Sequence, residues 1–373
     1  MNPNKQKRIQ SMIDLGKERD LDWILCMLPE NIFYLSGFRT MLYTRFIGVL
    51  VPVKETREPV LISSYIDRRL VQEDIWSPHW FKETLLWGPG AEYEHKTPWD
   101  ALKAYLAPGM RLGVDAIQLD FYEQLIETFP GATVTNLQQE ILDCRLIKDD
   151  EEIEKVSNAY KLAVKIMAQV PEWLQTPMTE SELAAEMTRA ATIEGAEGTL
   201  FPTLVSCGEK MLAFHSPPLP RPLKKNELIR VAFGPIVDGY GSDIIRSFCI
   251  GTPPAEVLPL KDAFFEAQEA VVDMLRPGVT SADLLKKVES IYTARGCLKN
   301  WGYNIGHGLA LTIHEPPRMA GADRTEIKEN MILAVEPSLG CPPYGAFAHC
   351  DGVKITADGA EWLSTGLRDL VTV

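Results

Sequence analysis

With 373 residues, 46% of them hydrophobic and 24% charged, the chain is long enough for two domains of ordinary size, each with its own core. A net charge of −13 argues against nucleic acid or anionic membrane as a partner, and no run of eighteen apolar residues offers a membrane span. Seven scattered cysteines form no CxxC pair, and the charged N-terminus lacks the apolar block of a signal peptide; both predict reduced thiols and a cytoplasmic protein.

The first ~140 residues alternate strand-like and helix-like segments in the rhythm of an α/β layer. A polar N-terminal helix leads to the strand DWILCML, then to PENIFYLSGF and the strand FIGVLVPV. REPVLISS and RLGVDA read as further strands, and FYEQLIETF as a helix. At CRLIKDDEEIEKVSNAYKLAVKIMAQV a long helix begins, with the acids from Asp149 to Glu152 in its first turn at the positive end of the helix dipole. This places a boundary between residues 142 and 143, giving an N-terminal α/β domain (1–142) and a C-terminal domain (143–373).

The C-terminal domain contains an internal echo. Residues 176–195 (TPMTESELAAEMTRAATIEG) and 276–296 (RPGVTSADLLKKVESIYTARG) each carry a Thr N-cap with an acid three positions later, an amphipathic helix and a closing Gly. Thr179 with Glu182 is a capping box, and Thr280 with Asp283 a weaker one. A duplicated helix-plus-strands unit with pseudo-twofold symmetry is expected.

Between the two echoes, residues 231–248 (VAFGPIVDGYGSDIIRSF) read as a β-hairpin turning at Asp238-Gly239. That turn pairs Val237 with Tyr240, sets Ala232 opposite Ile245 and Gly234 opposite Asp243, and lines Ala232, Gly234 and Asp243 along one face. The two small residues would leave open space beside the carboxylate. Asp243 is then a metal ligand, a structural acid, or the remnant of a site that has lost its metal. Of six histidines, four stand at 215, 307, 314 and 349; the pair in GHGLALTIHEPP would occupy opposite faces of one extended strand. Glu336 ends the apolar run MILAV, where burying a carboxylate is costly unless a metal or a catalytic role accounts for it.

Taken in order, PENIFYLSGF, RLIKDDEEIEKVSNAY, the hairpin, GHGLALTIHEPP, ENMILAVEPSLG and VKITADGAEWLS resemble the family of aminopeptidase P, prolidase and creatinase over nearly the whole chain. The resemblance implies a creatinase-like N-terminal α/β domain and a C-terminal α+β domain of pita-bread fold. It implies a cytoplasmic homodimer that hydrolyses a C–N bond in a small molecule or dipeptide bearing a carboxylate. In the family's metallopeptidases five side chains hold two metal ions. By position Asp243, His307 and Glu336 match three of them, while Ala232 and Cys350 stand where two acids are expected. A dinuclear centre is therefore not expected. The resemblance leaves either no metal, as in creatinase, or one divalent ion (zinc, manganese or iron) on Asp243, His307, Glu336 and the Cys350 thiolate. Ile245 stands where creatinase has a catalytic Glu, so that specific activity is not implied.

The remaining roles follow from the same comparison. His215, His314 and Glu336 are the catalytic candidates, as base, as hydrogen-bond donor to the intermediate and as orienting acid. Arg45, Tyr240 and Arg324 are the substrate-binding candidates, the arginines because a guanidinium grips a carboxylate with two parallel bonds, Arg45 across a dimer interface. A mononuclear Xaa-Pro dipeptidase-like enzyme, a lyase acting on a small zwitterion and a catalytically inactive binding module remain alternatives.

Overall fold

The computed structural model describes residues 3–73, 76, 79–90 and 92–373, and the chain divides into two compact units, Met1–Arg145 and Leu146–Val373. Among the described residues no helix is long and apolar enough to cross a membrane.

The first unit is built on a six-stranded mixed sheet. Its strands run Glu83–Trp87, Val60–Ser64, Gly48–Pro52, Trp23–Cys26, Arg111–Val114 and Thr133–Asn136 from one edge to the other. WILC, GVLVP and VLISS are buried at every position, as strands covered on both faces must be. The PENIFYLSGF segment forms the helix Pro29–Ser36, closed by Gly37 at φ 80° with its N–H on the Phe33 carbonyl. Buried Asp115 fastens the start of that helix to the sheet by accepting from Met27 N, Leu28 N and Asn31 Nδ2 at 2.8–3.0 Å. This motif therefore serves the packing of the unit. Arg45 lies exposed between the helix and the strand Gly48–Pro52.

The second unit contains the expected repeat. One half packs the helices Asp150–Met167 and Glu180–Ile193 against a four-stranded sheet ordered Val371–Thr372, Ile244–Cys249, Leu228–Phe233, Leu204–Cys207. The other packs Leu258–Met274 and Ser281–Ala294 against five strands ordered Glu315–Ala320, Asn304–Gly308, Ile332–Val335, Asp351–Ile355, Ala360–Trp362. Both Thr179 and Thr280 close reciprocal capping boxes, and each also bridges to a later segment, Thr179 to Pro222 and Thr280 to Glu326. The two sheets meet at an isolated bridge where Ile245 and Cys350 exchange main-chain hydrogen bonds of 3.3 and 3.1 Å.

The hairpin register is the one the turn dictates. Val237 pairs with Tyr240 and Ala232 with Ile245, and Asp238 and Gly239 have φ of 49° and 80°, both in the left-handed region this turn requires. The expectation for Gly234 is corrected. A Cβ there would lie 2.3 Å from the Ser242 carbonyl and 2.7 Å from the Phe201 ring, so the missing side chain permits close approach rather than opening space. The ladder breaks at this point: Gly234, Ser242 and Asp243 lie between strands, and the Asp243 side chain is released from the regular alternation.

Candidate active site

A cavity of about 860 Å³ opens in the second unit, between its two sheets. Leu204, Ala232 and Ile245, hydrogen-bonded neighbours across three strands, contribute an apolar floor. Phe201, Phe214 and Trp301 add aromatic wall, and the polar groups include Asp243, His307, Glu336, His215, His314 and Arg230.

His307 is placed by its glycines. A Cβ on Gly306 would lie 1.8 Å from the Ala334 carbonyl and one on Gly308 2.1 Å from the Pro316 carbonyl, so only Gly-His-Gly lets both neighbouring strands close on this one. His307 Nδ1 lies 3.0 Å from the Gly308 carbonyl oxygen. A carbonyl only accepts, so Nδ1 carries the proton and Nε2 presents a lone pair. That lone pair faces Asp243 Oδ2 at 3.6 Å and Glu336 Oε1 at 3.7 Å, both too long for hydrogen bonds. Burial pushes the His307 pKa down to about 4 and keeps the ring neutral. Burial also raises the proton affinity of both carboxyls, and the Asp243 charge raises that of Glu336 further.

The His307 lone pair thus faces two carboxyls, and among the described residues no hydrogen bond joins it to either, an arrangement that calls for a proton or a cation. Donors on one tetrahedral ion with bonds of roughly 2.0–2.2 Å lie roughly 3.3–3.6 Å apart, close to the observed separations. Donor atoms of Asp243, Glu336 and Cys350 lie within 4.8 Å of one another. The fully buried Cys350 thiol lies 3.6 Å from the Asp243 carbonyl, to which it donates. Burial and the nearby carboxylates hold its pKa well above the thiol range, so it becomes a ligand only if an ion displaces its proton. The residues present fit one ion. Ala232, also in the cavity lining, offers a methyl group and no donor atom.

His215 and His314 line the cavity from exposed positions. The expectation that His307 and His314 face opposite ways is corrected: their rings meet edge to face with centroids 4.5 Å apart. Period-two alternation fails between them because His307 lies in Asn304–Gly308 and His314 follows the turn that leads into the antiparallel strand Glu315–Ala320. Burial, with Arg318 and His215 nearby, lowers the His314 pKa. Glu315 is committed to packing through a buried ion pair with Lys148 (3.2 Å) and the N–H groups of Leu311 and Thr312.

Two of the substrate-binding candidates lie outside the cavity lining. Tyr240 is buried away from the cavity lining, its hydroxyl donating to Glu152 Oε1 at 3.1 Å. Arg324 is exposed and donates to the Asp323 carbonyl at 2.9 Å, also outside the lining. Arg246 is structural: it pairs with Asp351 at 2.5 Å and donates to the Gly366, Ile245 and Cys350 carbonyls. The residue missed from sequence is Arg230, 1% exposed in the cavity wall. Its signal was a lone cation inside the apolar run LIRVAF.

The description of metallopeptidase family M24 matches residues 154–365, and that of the creatinase/prolidase N-terminal domain matches residues 8–147. A Pyrococcus furiosus Xaa-Pro dipeptidase is 26% identical over 373 residues, covering 98% of this chain and all of that one. Among solved structures, a Thermococcus sibiricus prolidase superposes with a TM-score of 0.89 at 21% identity, with 100% of both chains covered. The prolidase of Pyrococcus horikoshii OT3 gives 0.87 at 22% identity, over 98% of this chain and 100% of that one. The fold is thus that of the prolidases, with the pita-bread unit at the C-terminal end, and the chain belongs to metallopeptidase family M24, a family of hydrolases that use divalent metals.

Proposed function

We propose that this chain is a dipeptidase that hydrolyses the C–N bond of Xaa-Pro-like substrates with a single divalent ion held by Asp243, His307 and Glu336, with Cys350 as a fourth donor. The observation that carries the reading is that the His307 lone pair faces two carboxyls, 3.6 and 3.7 Å away, with no hydrogen bond among the described residues joining it to either. An ion bound there would supply a water of lowered pKa. The protein's part is to hold the substrate over the apolar floor and to stabilise charge. His314, kept neutral by its depressed pKa, donates a hydrogen bond to the carbonyl oxygen as water adds. His215 accepts a proton and delivers it to the leaving nitrogen as the C–N bond breaks.

A second, metal-free reading is favoured by the raised proton affinity of Asp243 and Glu336. In it a shared proton fills the same space, and the protonated carboxyl acts as a general acid toward the leaving nitrogen. One experiment separates the two. The full chain is expressed with zinc, manganese or iron, desalted, and analysed for metal beside an assay of Xaa-Pro hydrolysis. About one ion per chain, lost with activity in Asp243→Ala, supports the first reading. Activity without any ion supports the second, and no hydrolysis under any loading sinks the dipeptidase assignment.

A further inference from the structure

Two arginines are fully buried on the strands of the hairpin, and they are treated differently. Arg246 has a carboxylate and three carbonyls for partners. Arg230 has only carbonyls: Nη2 donates to Phe214 O at 2.5 Å and Nη1 to Met211 O at 3.4 Å. Its Nε–H has no partner, and among the described residues no carboxylate lies within ion-pair distance of it. A guanidinium carries five N–H donors, so most of its capacity is unspent. Its plane is held by the Phe214 ring, whose centroid is 4.8 Å from Cζ. Burial draws its pKa down to about 10, the mark of a cation stripped of water, while the Glu336 charge opposes that shift. A buried cation in a cavity wall with donors to spare, sensing the Glu336 charge but forming no ion pair with it, can take an anion at hydrogen-bond distance.

The register says where that anion lies. Arg230 pairs with Ser247, Ala232 with Ile245, and Asp243 follows two residues further along. From the Arg230 row to the Asp243 position is four residues, about 13 Å at roughly 3.3 Å per residue. The Ala232 floor lies between, cleared by its short side chain. A small ligand can therefore lie across Ala232 with one end at the carboxylate–histidine cluster and the other at the guanidinium.

We propose that Arg230 is the carboxylate anchor of the cavity, binding the free C-terminal carboxylate of the substrate across the floor where the family's missing acid would have stood. This rests on the dipeptidase reading for the identity of the substrate, but not for the binding of a carboxylate. Arg230 also fixes the Met211–Phe214 segment that leads into His215, so losing its charge and losing its packing must be told apart.

The test is calorimetric titration of the full chain with N-acetyl-L-proline and with N-acetyl-L-prolinamide, which differ only in the charge of the far end. The native protein is expected to bind the carboxylate about tenfold or more tightly than the amide, the worth of a charge-assisted pair. Arg230→Gln, with its circular dichroism and Tm checked, is expected to bind both alike. Equal affinities in the native protein, including no binding of either, overturn the proposal. So does a preference retained in a folded Arg230→Gln. If that variant does not fold, a crystal structure of the native chain with N-acetyl-L-proline decides, and a carboxylate bound away from Arg230 overturns the assignment. A carboxylate preference without Xaa-Pro hydrolysis leaves Arg230 in place and removes the dipeptidase reading. Equal kcat/KM on a dipeptide and its amide does the reverse.

Discussion

The two halves of the second unit share a scaffold and divide its chemistry. An offset of 104 residues aligns the strand starts Leu228 and Ile332 and the bridging residues Pro222 and Glu326. The same offset sets Ala232 against Glu336. Across the seam, Asp243 in the first half lies beside Cys350 in the second, whose thiol donates to its carbonyl. Each half thus brings one carboxylate to the cavity, Asp243 from the first and Glu336 from the second. The helices, caps and strands repeat, because packing demands them of both halves. The donors do not repeat: the same offset that aligns the strands sets an alanine against Glu336. Symmetry of fold and asymmetry of charge are separate properties of the same repeat, and they can be broken separately.

The largest effect is expected from removing one donor from either half. If the site is one shared centre, Asp243→Ala and Glu336→Ala each lower kcat/KM by at least about a hundredfold, the upper end of the loss from mutating a ligand's supporting partners. Their double variant is then no worse than either alone, since groups that act as a unit are not additive. Steady-state kinetics with metal analysis of all three variants checks this. Additive losses would mean that the halves act independently.

Next is the restoration of the missing acids. Ala232→Asp with Cys350→Glu returns one carboxylate to each half, and metal content is expected to rise from about one to about two ions per chain. Either substitution alone is expected to leave it near one. Elemental analysis after desalting reads both, and an unchanged content in the double variant would show that the repeat has lost more than its side chains.

A smaller effect follows from protonation. Asp243 and Glu336 have folded pKa values above the ordinary carboxylate range, so the folded state holds protons that the unfolded chain releases. Their stabilising contribution is complete at low pH and is lost as pH rises through the raised values. His307 works the other way, because its pKa of about 4 lies below that of the unfolded chain, but only up to about pH 6.5. Above that the carboxyl pair is no longer opposed by His307. With a chelator present, urea midpoints are expected to fall between about pH 6.5 and about pH 8, and Asp243→Asn flattens the fall. Saturating metal is expected to abolish it, since the ion takes the place of the proton.

How much of this was legible depends on the range of the interaction that fixes it. The hairpin register could be read because Asp238-Gly239 determines it locally, and the capping boxes because four consecutive residues make them. Asp243, His307 and Glu336 could be picked out by their resemblance to a known ligand pattern, but their convergence on one point could not. The meeting of His307 with His314 depends on a turn that strand periodicity cannot register. Tyr240, expected at the pocket, donates instead to Glu152, 88 positions away on the helix Asp150–Met167. Arg230 faces a cavity walled in part by the opposite half, so the lone cation in LIRVAF marks an oddity without saying what it faces.

The smallest effect tests the scaffold alone. Thr179 and Thr280 accept from the N–H groups of Glu182 and Asp283 at 3.2 and 3.3 Å, nearly the same bond in both halves. Alanine at either position is expected to cost about 1 kcal/mol of stability, read from urea unfolding, with the metal content unchanged. The reciprocal bonds differ. The Glu182 carboxylate reaches the Thr179 N–H at 2.7 Å, whereas the shorter Asp283 reaches that of Thr280 only at 3.2 Å. Asp283→Glu supplies the missing methylene and is expected to gain a few tenths of a kcal/mol, roughly the scale of a modest cap adjustment. A loss instead would mean that the second half has adapted its first turn to the shorter acid, and that the two caps, alike in pattern, are no longer interchangeable.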